Sequence, residues 1–219
     1  MRSRRLITWI LAFLPLIITV IALPVLSDKI PAHYGLDGYV TRFGSKYEML
    51  LIPMITIIFC FLWLFLEKHL MKDSEKGPHN VRVIFWISLI VNLTFTALTA
   101  WFLHTAYVEA ESIKNVSVDY LKIVAIALSI NWIVIGNVLP KCKQNGLVGI
   151  RTPWTLASEN NWYKTHRMGG KIALITGIIS GLLCIVFNGT IGMWISLGSS
   201  IAMLVPIVIY SYLVYKHEG

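Results

Sequence analysis

Six long apolar stretches alternate with short polar ones along the chain: Leu6 to Leu26, Met49 to Leu66, Val83 to Leu103, Leu121 to Leu139, Ile172 to Phe187 and Met193 to Val214. At a rise of about 1.5 Å per residue, roughly 20 helical residues cross a hydrocarbon core ~30 Å thick. All but the fifth stretch suffice alone, and the fifth must recruit its flank. Lys122 is the one charged residue inside them. It lies so near the start of its stretch that its stem carries the ammonium to the headgroups. The pattern predicts an all-α polytopic membrane protein with six transmembrane helices. It also predicts two units, an N-terminal two-helix membrane module over 1–70 with an outer loop at 27–48, and a four-helix membrane domain over 83–219 with a loop at 140–170.

Composition sharpens this reading. Hydrophobic residues make up 56% of the 219 and charged residues 14%, against roughly 25% charged in an ordinary soluble domain, which excludes one here. The formal charge of +8 is unevenly placed. Fourteen Lys and Arg fall on one side of the six stretches and five on the other; the richer side is cytoplasmic, which puts both termini there. The basic residues form no aromatic-interleaved patch, so direct nucleic-acid binding is not expected. The first stretch is too long for a signal peptide, and Ala22-Leu23-Pro24 is no cleavage site, so it reads as an uncleaved anchor. Cys60, Cys142 and Cys184 are odd in number and suit neither a disulfide framework nor zinc. No pattern calls for a cofactor.

Within the stretches, Pro15, Pro53 and Pro206 favour kinks. Asn92, Asn131 and Asn137 are expected to hydrogen-bond between helices. Gly169, Ala173, Gly177 and Gly181 recur every four residues on one helix face, and Gly192, Ser196 and Ser200 repeat the spacing in the sixth stretch. Small faces let backbones approach, so a tight hairpin of the last two helices is expected, with a homodimer face as the alternative and the oligomeric state left open.

The loop from Pro140 to Gly170 is basic and should adhere to anionic headgroups. Thr152-Pro153 has the form of a capped helix start, and Ser158-Glu159 restarts a helix towards Met168. On that helix Trp162, His166 and Gly169 share one face, and Lys164, Arg167 and Lys171 another. Spacing alone favours an interfacial amphipathic helix with Trp anchors, ahead of a partner-docking surface and a catalytic site. In the outer loops, His33 and Asp37 face a second set, His104, Glu109 and Glu111. These residue types suit a ligand-free folded lid, a peptide-contact surface or, with His33 and His104 as weak candidates, a metal; no metal-site spacing supports the last. Pro31, Gly35, Gly38 and Gly44 indicate a compact, turn-rich loop.

The strings Gly136-Asn137-Val138-Leu139-Pro140-Lys141, Gly149-Ile150-Arg151-Thr152-Pro153-Trp154-Thr155-Leu156, Ser158-Glu159 and Trp162-Tyr163-Lys164-Thr165-His166-Arg167 closely resemble the SdpI (SdpI/YfhL-like) family of bacterial membrane proteins. Asp28-Lys29-Ile30-Pro31-Ala32-His33, Gly35, Asp37-Gly38 and Phe43-Gly44-Ser45-Lys46 resemble the small membrane domain of unknown function often found ahead of it. The chain departs from the pattern at Asn161 and Gly169, which puts local helix packing in question. The resemblance implies a multispanning immunity protein of the cell membrane, protecting against a secreted SdpC-like peptide toxin and, in the founding member, holding an SdpR-like autorepressor at the membrane. It makes the 83–219 domain SdpI-like and marks His33, Asp37 and Glu109 as toxin-contact candidates. Asn137, Arg151, Thr152, Pro153, Trp154, Trp162, His166 and Arg167 become candidates for holding the inner loop's fold or a cytoplasmic partner. A peptide or solute transporter is the first alternative, weakened by the lack of mid-membrane charge and repeated halves. An intramembrane enzyme is the second, and no catalytic pair at membrane depth supports it.

Overall fold

The computed structural model describes residues 2–35, 38–112 and 119–218. The helices are α1 (Arg2–Ala22), α2 (Leu51–Leu70), α3 (Gly77–Tyr107), α4 (Tyr120–Val138), α5 (Pro153–Ala157), α6 (Glu159–Val186), α7 (Gly189–Ala202) and α8 (Leu204–Glu218), with a hairpin of β1 (Lys29–Tyr34) and β2 (Val40–Ser45) between α1 and α2. Six helical segments are long and apolar enough to span a membrane, the last formed by α7 and α8 together. The chain is therefore an all-α polytopic protein with a small β-hairpin added outside the bilayer. Large apolar side chains such as Ile10, Ile21, Phe61, Ile179 and Val186 are exposed on the helix surfaces, as lipid contact requires.

Two groups of helices meet through α3, which packs on α1 and α2 on one side and α4 on the other. Thr56 of α2 donates its hydroxyl to the Ala12 carbonyl of α1 at 2.9 Å. The Asn131 amide of α4 donates to the Thr94 hydroxyl of α3 at 2.8 Å. Asn131 thus acts between helices as expected, but Asn92 does not: its amide returns to the Ser88 carbonyl one turn back in its own helix. Asn137 lies exposed and accepts from Lys141.

The small-residue face of α6 takes a different partner from the one its spacing suggests. It does touch α7, where Gly192 lies close to Cys184, but its closest approach is to α4. A Cβ at Gly136 would stand 2.5 Å from the Leu174 amide nitrogen and 2.7 Å from the Gly170 carbonyl oxygen. One at Gly177 would stand 2.7 Å from the Ser129 carbonyl oxygen. The pairing follows from glycine on both helices: α4 contributes Gly136 at the crossing, so backbone meets backbone. Further out, Ser129, Ser180 and Ser196 join α4, α6 and α7, with Ser180 donating to Ser129 at 3.0 Å and Ser196 to the Ala125 carbonyl at 3.0 Å.

The prolines act unequally. Pro53 sits in the first turn of α2, where its missing N–H has no intrahelical acceptor to lose, so it does not interrupt that helix. Pro206 has the expected effect, because the sixth span breaks at Met203 just where the ring would collide with the preceding turn. The fifth span gains its length by continuity, since α6 runs 28 residues from Glu159 without a break.

Gly136→Val should force α4 from α6 and lower stability by about 2–3 kcal/mol, whereas Gly181→Ala, whose nearest neighbour is Ser129 Cβ at 3.4 Å, should be near neutral. Thermal unfolding of both variants in a neutral detergent measures the difference.

Candidate functional site

The outer face carries a lid made from both outer loops. In the hairpin Ile30 pairs with Gly44 and Tyr34 with Val40, with a bulge between Pro31 and His33 that accommodates the proline. Gly38, at φ 85°, makes the turn towards β2. The second outer loop joins by backbone: the Val40 amide donates to the Glu111 carbonyl at 2.9 Å, Tyr39 bridges to Ser112, and the Tyr34 hydroxyl donates to the Ala110 carbonyl. Beneath the sheet Ile30, fully buried, packs with Leu26, Met49, Leu103 and Ala106 and plugs the outer end of α1, α2 and α3. A cavity of about 160 Å³ remains beside this plug, walled by Met49, Leu51, Ile52, Phe102 and Leu103 with Arg42 and Glu48. Arg42 grips Glu48 through both guanidinium nitrogens, at 3.0 and 2.7 Å.

His33 is exposed on β1, and its Nδ1 lies 2.6 Å from the Thr41 hydroxyl across the hairpin. Glu109, in the left-handed region at φ 47°, accepts from the Ser27 hydroxyl and ties the end of α3 to the start of the hairpin. Asp37 lies outside the described residues. His104 is half-buried in the last turn of α3. Among the described residues no three His, Cys, Asp or Glu side chains group as metal ligands would.

On the inner face the segment from Leu139 to Ser158 folds back over the helix ends. Gly149 comes closest: at φ 115° and with a Cβ position 2.5 Å from His166 Nε2 and 2.9 Å from Trp162, it leaves room for no side chain. The Ile150 amide then donates to His166 Nε2 at 3.0 Å, and His166 Nδ1 donates to the Trp162 carbonyl at 2.8 Å. Both ring nitrogens are used, which holds the imidazole neutral with its proton on Nδ1. Trp162 stacks on His166 with centroids 4.0 Å apart and donates its indole N–H to the Cys142 carbonyl at 2.9 Å. Burial pushes the Cys142 thiol up to about 12, so it stays protonated and inert.

The rest of the Gly149–Leu156 string has equally definite tasks. Ile150 presses on Gly169, which explains glycine there. Thr152 caps α5 with Pro153 in its first turn, and the Thr155 hydroxyl, donating to the Ile150 carbonyl at 2.8 Å, closes the turn. Trp154 donates to the Ser211 hydroxyl of α8 at 2.7 Å and packs edge-on against Tyr212. Asn161, fully buried, donates to the Ser211 carbonyl at 3.1 Å and accepts from Thr165, so its polarity is used to fasten α6 to α8. Arg151 is exposed and, among the described residues, reaches only the Leu147 carbonyl at 3.4 Å, and Arg167 is exposed beside the Tyr163 hydroxyl.

This geometry corrects the expected interfacial helix. Trp162 is 2% exposed and His166 1%, so neither anchors the chain in headgroups, and their helix is the cytoplasmic end of a membrane span. Trp154 likewise docks on α8. Sequence reasoning missed the residues that hold the loop most firmly. Asn80 of α3, fully buried, accepts from the Lys143 amide at 2.7 Å. Asn145 accepts from the Leu147 and Val148 amides, each at 2.8 Å, and Gln144 donates to the last carbonyls of α5. Asn145-Gly146 was a readable turn signal; nothing local marks Asn80.

Gly149→Ala should cost more than about 2 kcal/mol and expose the 143–157 segment to protease, while Leu156→Ala, at an exposed position, should leave the digestion pattern unchanged. Limited proteolysis of detergent-purified protein, followed by intact-mass measurement, distinguishes the two.

Comparison with known proteins agrees with this architecture. Residues 141–211 match the model of the SdpI/YfhL protein family, and residues 10–57 match a domain of unknown function, DUF1648. The chain is 24% identical over 216 residues to the immunity protein SdpI of Bacillus subtilis (strain 168), covering 98% of this chain and 97% of that one. No solved structure matches it. The chain is thus a multi-pass bacterial membrane protein in which a region similar to the SdpI/YfhL family follows one similar to DUF1648.

Proposed function

We propose that this protein confers immunity to a secreted peptide toxin by binding it at the outer face of the membrane, with the composite lid as the recognition surface. The observation that carries this reading is the 160 Å³ cavity between the hairpin and the outer ends of α2 and α3. Its volume, on the order of five waters, suits one large apolar side chain. Its walls are apolar except for Thr99 and the Arg42–Glu48 pair, the form of a pocket for an anchoring residue. His33 on the neighbouring strand and Asp37, four residues further along the sequence, supply polar contacts for the rest of the peptide. This reading is of a binding protein rather than an enzyme.

Filling the cavity by Ile52→Trp, or removing the polar contacts by His33→Ala with Asp37→Ala, should lower survival of toxin-challenged cells at least tenfold at unchanged membrane abundance. Survival equal to that of the unaltered protein would move recognition away from the lid.

A second role, capture of a cytoplasmic repressor, is supported by Arg151. Its guanidinium is exposed and gives the loop one long bond, to the Leu147 carbonyl, where Gly149, Asn145 and Thr155 make the closer contacts. A planar fork left facing the cytosol suits a carboxylate pair on a partner, and Lys cannot reproduce it. Arg151→Lys should therefore abolish membrane recruitment of a tagged repressor while toxin protection persists. Joint loss of both would place the loop in the immunity mechanism itself, and no effect on recruitment would end the relay reading.

A further inference from the structure

The inner face holds a second cavity system unrelated to the lid. A cleft of about 530 Å³ lies between the start of α3, the turn after α4 and the start of α6, with Lys76, His79, Lys141, Lys143, Trp162 and Tyr163 in its walls. A second hollow of about 290 Å³ shares His79 and Lys141 with it and is otherwise walled by Arg82, Val83, Trp86 and Val138. Both carry cations, and the second adds the apolar side chains of Val83, Trp86 and Val138 to its walls.

Charge in this cleft is unbalanced. Lys76 pairs with Glu159, and Glu75 adds one carboxylate. Among the described residues Lys141, Lys143 and Arg82 make no ion pair. Lys141 spends one donor on the Asn137 amide oxygen at 3.2 Å and keeps two. The Lys143 backbone is pinned by buried Asn80, which fixes the origin of its side chain. Lys141 and Lys143 line the larger cleft and Lys141 and Arg82 the smaller, so three cations stand around two adjoining hollows that leave room for a phosphate group.

Depth decides what carries that phosphate. Lys76, His79, Arg82 and Trp86 descend from the cytoplasmic end of α3 over about 15 Å, at 1.5 Å per residue. Trp86 is 46% exposed at the lower end, where an indole sits at the boundary between headgroups and hydrocarbon. An occupant with its anionic end among Lys141, Lys143 and Arg82 would lay an apolar tail along Val83, Trp86 and Val138. Free phosphate would satisfy the cations and leave Val83, Trp86 and Val138 uncovered, and an acidic peptide would do the same.

We infer that these two adjoining hollows together form a binding site for the phosphate of a single anionic phospholipid of the inner leaflet, gripped by Lys141, Lys143 and Arg82 with its acyl chain along Trp86. The site joins α3 to the turn after α4, so its occupant stabilises the junction between the two helix groups. It is independent of toxin recognition, and its failure would leave that reading untouched.

The test uses the full chain in a neutral detergent, with thermal unfolding read during titration of dioctanoyl-phosphatidylglycerol, dioctanoyl-phosphatidylcholine, sodium phosphate or hexaglutamate. The expected result is a saturable rise in Tm of several degrees with the glycerol lipid and none with the choline lipid. The midpoint should move at least tenfold higher in Lys141→Gln with Lys143→Gln, and separately in Arg82→Gln. Trp86→Ala should weaken lipid binding without creating a response to phosphate. An equal rise with the choline lipid, or an unmoved midpoint in the Lys and Arg variants, would overturn the site. A rise with sodium phosphate but not with lipid would reassign it to soluble phosphate, and one with hexaglutamate alone to an acidic protein partner. Should one variant fail to fold, the headgroup selectivity of the unaltered protein and the remaining variant decide the matter.

Discussion

The approach of α4 to α6 at Gly136, Gly170 and Gly177 sets the position of nearly everything on the cytoplasmic side. In lipid, apolar side chains gain little by leaving one hydrocarbon surface for another, so helix association depends on close packing and on hydrogen bonds. Glycine supplies the packing by letting backbones touch. The serines at 129, 180 and 196 supply hydrogen bonds further along the same seam. With α4 and α6 held at this distance, the turn after α4 delivers Cys142 to Trp162 and the following loop delivers Gly149 to His166.

The loop that results is fixed as firmly as a helix. Its backbone donors and acceptors are taken up by Asn80, Asn145, Gln144, Thr155 and His166, side chains that belong to three different segments. A polar segment folded against membrane helices needs such partners, because an unsatisfied amide in a low-dielectric site costs more than the hydrogen bond itself returns. The outer lid solves the same problem with backbone, pairing β1 with β2 and β2 with the end of the second outer loop. Both ends of the bundle thus present ordered surfaces: apolar and cavity-bearing outside, basic and aromatic inside.

What differs between the two faces is how much charge remains uncommitted. Outside, Arg42 is paired with Glu48 and Lys46 with Asp28. Inside, Arg5 pairs with Glu67 and Lys76 with Glu159, yet the fourteen Lys and Arg residues on that side outnumber its five carboxylates. This excess is what predicts the protein's orientation in the membrane, and it is the charge on which the proposed phosphate site draws.

The sequence by itself determined the number and order of the spans and the starts of α5 and α6, because hydrocarbon thickness and capping chemistry act on contiguous residues; its charge asymmetry predicts their orientation. It also carried the resemblance, through a string whose Gly, Thr, Pro and Trp each meet a separate geometric demand. The hairpin was only half visible: its turn residues were legible as punctuation, but β1 and β2 lack a clean alternation and gain their stability from Ile30 seated on α1 and α3 and from pairing with the distant second outer loop. Tertiary structure alone decided that the glycine face of α6 meets α4 before α7, since a small-residue stripe specifies close approach without naming the partner, and Gly136 lies outside the stripe. It also turned Trp162 from an expected lipid anchor into a buried contact and docked half-buried Trp154 on α8. An indole is equally suited to a headgroup layer and to a stacked, hydrogen-bonded interior, and the choice between them rests on whether Ser211, Cys142 and His166 are brought within reach from elsewhere in the chain.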